Sequence, residues 1–296
     1  MIVDCHVNLW EEQHVRPQFA AGTAYSRPGS VSPKADPQTV FEAMAGVDKA
    51  IVFSLRYGDS AGIDGDDEVT HRAVVRSPEK FVGFATVDPR RPDYLDLLHR
   101  AVEDYRLEGV KFGPIYNGVS MLDPRLDPVY RLCMARNLPL TVHMGTTFAE
   151  NAPIELGRPL VVDEVAQRYP DLKIVMAHMA HPWFEECIVV VRKRPNVYCE
   201  VSALFYRPWQ FWNTLICAQE YRITERDKIF WGKDFPFSGV EESIRGLREA
   251  NRPIEGTTLP RVSVETIERI LHSNPFEHWW HGGRRERSPA SSTHTG

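Results

Sequence analysis

Histidine, asparagine and aspartate stand at the ends of short apolar runs in this sequence, and these are residue types that hold metal ions. Ile2-Val-Asp-Cys-His-Val-Asn8 reads as a strand whose far end presents His6 and Asn8, two residues apart and therefore on one face. An inward imidazole and amide forgo hydrophobic burial, which makes sense if something polar, a metal above all, sits at that end. Leu138-Pro-Leu-Thr-Val-His143, Leu172-Lys-Ile-Val-Met-Ala-His178 and Lys228-Ile-Phe-Trp-Gly-Lys-Asp234 repeat the pattern of an apolar run closed by a polar side chain. Any one of them is explained by a histidine bonded to a carbonyl or an aspartate capping a helix. Four of them at one place are not.

Whether they meet depends on the elements between them. Further apolar runs lie at Lys49–Ser54, Phe81–Val87, Gly109–Gly113 and Val197–Ser202. Helical patterns fall over about 37–46, 66–77, 92–105, 127–136, 161–169, from Pro182, from Pro208, and over about 241–250 and 264–272. Asp36 is the expected cap of the first of these. Eight strands alternating with helices predict an α/β fold, a single (β/α)8 barrel. The open doubly wound sheet is the rival, but no Gly-rich phosphate loop follows the first strand. The barrel is expected over 1–282, with a polar, low-complexity tail at 283–296 expected to be disordered. Trp10 to Pro37, rich in Gly, Pro and Ser, reads as a long loop covering an active site.

In such a barrel the C-terminal strand ends carry the chemistry. In order they present His6 and Asn8, Arg56, Asp88, Lys111, His143, His178, Ser202 and Asp234. Three histidines and an aspartate thus converge on one mouth, and a metal site is expected there. Arg56 and Arg207, in loops after strands, and Lys111 are candidates for holding a substrate anion, against the plainer reading of structural ion pairs. His181 reads as a surface or capping group, and Trp183, Trp209, Phe211 and Trp212 as core, or else as walls of an aromatic pocket.

Composition narrows the class. The chain has 296 residues, 43% hydrophobic, with a net charge of −5 and dispersed basic residues. Nothing in it resembles a nucleic-acid footprint, a signal peptide or a membrane span. Five scattered cysteines without a CxxC read as reduced thiols of a cytoplasmic protein.

Asp4-Cys-His6-Val-Asn8 resembles the Asp-x-His-x-His entry motif of the amidohydrolase superfamily, and the later stretches Val142-His143-Met-Gly145, Ala177-His178-Met-Ala-His-Pro182 and Trp231-Gly-Lys-Asp234-Phe-Pro236 match its signatures in order. The likeness runs from about residue 2 to Asn274. It is similar in particular to the branch that includes aminocarboxymuconate-semialdehyde and resorcylate-type decarboxylases. The resemblance implies one divalent metal, zinc first and manganese second, held by His6, His143 and Asp234 with Asn8 as a fourth ligand where the family usually has histidine. It implies His178 as acid/base or polariser, and Asp234 as a carrier of the water's proton. The leading expectation is hydrolysis of a cyclic amide, ester or lactone by metal-activated water. The alternatives are metal-dependent decarboxylation of an aromatic or unsaturated acid, a metal-free lactonase using His178, Lys111 and Asp234, and a non-catalytic relative. A small acidic substrate is expected, and the aromatic C-terminus (Phe276, Trp279, Trp280) reads either as a homodimer patch or as rings buried together within one chain.

Overall fold

The apolar runs form strands in a computed structural model, which describes residues 1–26 and 34–279. In chain order they are β1 (Val3–Asn8), β2 (Lys49–Phe53), β3 (Arg56–Tyr57), β4 (Ile63–Asp64), β5 (Phe81–Thr86), β6 (Val110–Phe112), β7 (Leu140–Val142), β8 (Ile174–Met176), β9 (Val197–Glu200) and β10 (Ile229–Phe230). Eight of them form one parallel sheet in the order β1-β2-β5-β6-β7-β8-β9-β10. Its two ends join: Val7 bridges Phe235, Cys5 N–H donates to Trp231 O at 3.1 Å, and Asp234 N–H to His6 O at 3.1 Å. The result is the expected (β/α)8 barrel.

Strands lined by helices outside and by core inside are buried on both faces, which is why they read as continuous apolar runs. β1 and β5 are buried at every residue. Three of the helices begin at side-chain caps, the expected Asp36 among them. Asp36 accepts from Gln38 and Thr39 N–H, Asp66 from Val69 N–H, and Ser263 from Thr266 N–H.

Two expectations are refined and two open readings are narrowed. The stretch after Trp10 is not simply loop: it holds a 3-10 turn at Glu12–His14 and a helix at Pro17–Ser26. Gly22 disfavours that helix by about 1 kcal/mol relative to alanine, yet it is needed, because a Cβ there would lie 2.7 Å from the Phe148 ring. Next, Arg56 does lie in the connection from β2 to the helix Asp67–Arg76, but in a short strand and not in irregular loop. It lies in β3, which pairs antiparallel with β4 outside the barrel. Third, of the two readings of the later aromatic residues, the core reading holds for Phe211 and Trp212, while Trp209 is exposed beside Trp212 and Trp183 lies under Arg158. Fourth, one ring of the aromatic C-terminus is buried within the chain. Trp279 is fully buried, with its ring against Phe84 and Phe230, and its carbonyl accepts from Asn137 and Lys173 at the N-terminal end of the barrel. Trp280 and the tail at 283–296 lie outside the described residues. The five cysteines are free, and among the described residues no helix is long and apolar enough to cross a membrane.

Candidate active site

The parity of β1 turns Asp4, His6 and Asn8 into the barrel, where they meet the ends of the other strands. His6 Nε2 lies 3.5 Å from Asp234 Oδ1 and 3.4 Å from Lys111 Nζ. The His6 and His178 rings are 4.7 Å apart, and His178 Nε2 is 3.2 Å from His143 Nδ1. Six of the expected residues, His6, Asn8, Lys111, His143, His178 and Asp234, therefore line one cavity of about 930 Å³ at the C-terminal mouth.

The hydrogen bonds of the outer ring nitrogens assign the tautomers. His6 Nδ1 donates to Glu200 Oε1 at 3.0 Å. His143 Nε2 donates to Thr146 O at 3.1 Å. His178 Nδ1 faces Ser202 Oγ at 2.8 Å and Ser202 O at 3.3 Å, and the Ser202 hydroxyl itself donates to Glu200 Oε1 at 2.9 Å. Each imidazole carries its proton outward, so each points a lone pair inward. Lys111 answers the one on His6. Those of His143 Nδ1 and His178 Nε2 confront each other with no proton between them.

Burial holds all three rings neutral. It lowers His6 and His178 well below the usual histidine value and His143 to about 3, with the Lys111 charge the next cause for His6 and His143, and His6 the next for His178. Lys111, buried over the Phe53 ring at 4.7 Å, is itself lowered to about 8 by burial, opposed by Glu200 and Asp234. Neutral imidazoles and a carboxylate crowded together with unanswered lone pairs fit a divalent cation. His6, His178 and Asp234 each offer a donor atom within 4.8 Å of the others.

The geometry bears on two further residues. His178 lies in the tight donor cluster with His6 and Asp234, and His143 joins it through the 3.2 Å contact. Asn8 turns its nitrogen, not its oxygen, toward the site. Its Nδ2 donates to Asp234 Oδ1 at 2.9 Å and to Phe235 O at 2.7 Å, so the amide ties the aspartate to the end of β1.

The other expected residues separate cleanly. Arg207 lines the cavity, its guanidinium 4.6 Å from the centre of the Tyr206 ring, and makes no ion pair among the described residues. Arg56 does not line it: Arg56 is buried, bonded to Asp67 at 3.0 Å and to Thr86 O at 3.2 Å, so its charge is spent within the fold. Asp88 is taken by Arg90. Ser202 stands behind His178, and His181 lines the cavity although the sequence favours a surface or capping role.

Sequence reasoning missed two groups. Glu200 is wholly buried behind the histidines, and its signal was a charged residue within the apolar run Val197-Tyr-Cys-Glu-Val-Ser202. The aromatic walls come from Phe19, Tyr116, Phe148 and Phe237, on four segments far apart in sequence. Phe19, Phe148 and Phe237 lie 5.9–6.3 Å from one another at the mouth.

Comparison with known proteins now adds the family. The amidohydrolase family model matches residues 3–279. The chain belongs to the amidohydrolase family. Among its relatives is the 2-amino-3-carboxymuconate-6-semialdehyde decarboxylase of Dictyostelium discoideum, 23% identical over 234 residues. That match takes in 70% of this chain and spans 63% of the relative's own length. An uncharacterised TIM-barrel protein of Bordetella bronchiseptica superposes with a TM-score of 0.69 at 19% identity, over 93% of this chain and 97% of that one. A dihydroxybenzoic acid decarboxylase of a Polaromonas species, determined with bound manganese and the inhibitor 2-nitroresorcinol, gives 0.62 at 15% identity, over 94% and 96%. The chain is an enzyme of this family, and these similarities confirm the fold.

Proposed function

We propose that this amidohydrolase is a decarboxylase, a carbon–carbon lyase that removes CO2 from a small aromatic or unsaturated acid with the help of one divalent cation. The observation that carries this reading is the inward set of imidazole lone pairs and Asp234, on the floor of an aromatic-walled cavity that also presents the cations Lys111 and Arg207. The named relatives that are decarboxylases support it over hydrolysis, which the motifs alone favour.

His6, His178 and Asp234 would hold the cation, with His143 beside them. The donor set suits zinc, and manganese in a structurally similar decarboxylase keeps that ion as the second choice. Bound there, a divalent cation supplies positive charge that orients the acid and favours electron density left on its oxygens.

The chain's own residues supply the rest. Lys111 and Arg207 attract and orient the acid. Phe19, Tyr116, Phe148 and Phe237 receive its flat, apolar body and exclude water. The carbon–carbon bond to the carboxylate breaks, its electron pair stays on carbon, CO2 leaves, and a proton takes its place. Asp234 is the group placed to hold that proton.

The test is a panel of hydroxybenzoates and unsaturated acids, assayed for CO2 beside a panel of lactones, with metal analysis of the purified protein. CO2 release with stoichiometric zinc or manganese, lost on chelation, is expected. Asp234→Asn should cut turnover by about 100-fold or more with an unchanged circular dichroism spectrum. Lactone hydrolysis without CO2 would restore the hydrolase reading. Activity that survives chelation in metal-free protein would instead support the metal-free lactonase.

A further inference from the structure

We propose that Glu200, through Ser202, is the positioning residue that sets the tautomers of His6 and His178 and so aims their lone pairs at one point. The inference rests on the donor cluster of the proposed site but not on the identity of the substrate.

Glu200 ends β9 with no exposure to solvent. Four donors converge on it. Oε1 receives His6 Nδ1–H at 3.0 Å, the His178 backbone N–H at 3.0 Å and the Ser202 hydroxyl at 2.9 Å, and Oε2 receives the Ser202 backbone N–H at 2.5 Å. A carboxylate has about four lone-pair sites and no donor, so it alone among side chains of this size satisfies them all. The two backbone donors cannot reverse, which fixes both oxygens as acceptors. His6 must then carry its proton on Nδ1. Ser202, having spent its hydroxyl proton on Glu200, accepts from His178 Nδ1, and the second ring is set through the first.

The backbone nearby is shaped to the same end. His178, Met179 and Ala180 hold φ of 57, 44 and 53°, a left-handed run that costs roughly 1–2 kcal/mol per residue for non-glycine side chains. The bond from His178 N–H to Glu200 anchors the start of that run. Gly232 lets the chain after β10 close over the carboxylate, since a Cβ there would lie 3.2 Å from Oε2 and 3.3 Å from His6. His143 makes no hydrogen bond to Glu200 or Ser202, and its Nε2 is held by Thr146 O.

The experiment is long-range 1H–15N spectroscopy of 15N-histidine-labelled, metal-free protein, with Mn2+ affinity measured in parallel. The wild-type chain should show His6 and His178 as Nδ1–H tautomers and His143 as Nε2–H. Glu200→Gln places an amide donor among four donors, so His6 should lose its single tautomer and Mn2+ affinity should fall about 10–100-fold. Ser202→Ala leaves only the Ser202 carbonyl at 3.3 Å facing His178 Nδ1, so His178 should populate both tautomers while His6 is unchanged. It disturbs the fold less than the glutamine variant and serves if that variant does not fold. Unchanged tautomers in either variant would overturn the proposal, and so would a lost tautomer with Mn2+ affinity within twofold of wild type. Because the spectra use neither substrate nor turnover, failure to find CO2 release would leave this result standing, and the reverse.

Discussion

At the scale of single residues the site is governed by who donates and who accepts. Asn8 is the clearest case. Its two N–H bonds go to Asp234 Oδ1 and Phe235 O, both acceptors, so the residue braces the aspartate. Asn8→Asp would set a second carboxylate against both acceptors in a buried position. In chelator-treated protein at about pH 8 this should lower stability by roughly 3 kcal/mol, read from urea denaturation. Unchanged stability would show that the two Asn8 hydrogen bonds carry little of the fold's stability. The arginines obey the same accounting. Arg56 has the Asp67 carboxylate at 3.0 Å and is consumed by it, whereas Arg207 meets an aromatic face and keeps its charge for the cavity. Sequence position placed both in loops after strands and could not tell them apart.

At the scale of elements, β1 organises the barrel floor because its inward residues are polar at every second position. Asp4 sits deepest. Its Oδ1 accepts from the backbone N–H of His6 and Lys233 at 3.1 Å each, joining β1 to the segment after β10. Burial raises its carboxyl from the ordinary 3.8 to about 6, with Lys233 the main opposing influence. A folded-state value above the unfolded one means that the folded chain holds this proton more tightly. The contribution to stability is therefore full below about pH 4 and declines as pH rises through about 6. Asp4→Asn keeps the shape without the charge and should flatten the pH dependence of unfolding free energy over that window. An equal slope in the variant would remove Asp4 as its source. The helix at Pro17–Ser26 shows the opposite relation between sequence and element. It lacks a strong apolar stripe and contains a glycine, so nothing local announces it, and its place is set by Phe19 and Gly22 packing on Phe148.

At the scale of the whole molecule, one barrel separates its two ends by task. The C-terminal mouth gathers charge and aromatic walls, and the other end is sealed by the helix Pro275–Trp279. Trp279 packs its ring on Phe84 and Phe230, so the aromatic C-terminus spends this side chain on its own barrel, not on a partner. Trp279→Ala should cost about 3–5 kcal/mol of stability, measured by denaturant unfolding, with substrate affinity at the far end unaltered. A loss below about 1 kcal/mol would show that the seal carries little of the fold's stability.

The alternation of apolar runs and helices determined the barrel by itself, since strand period, burial on both faces and helix caps are local properties written residue by residue. It also determined that His6, His143, His178 and Asp234 meet, because a barrel collects its strand ends on one rim. Only the tertiary structure decided what each residue does there. Asn8 as a brace, Arg56 as an internal ion pair, His178 within the donor cluster and Glu200 behind it depend on contacts between residues up to 227 positions apart. A hydrogen bond is directional over about 3 Å. The spacing of residues along the chain carries no information at that resolution about which nitrogen holds the proton.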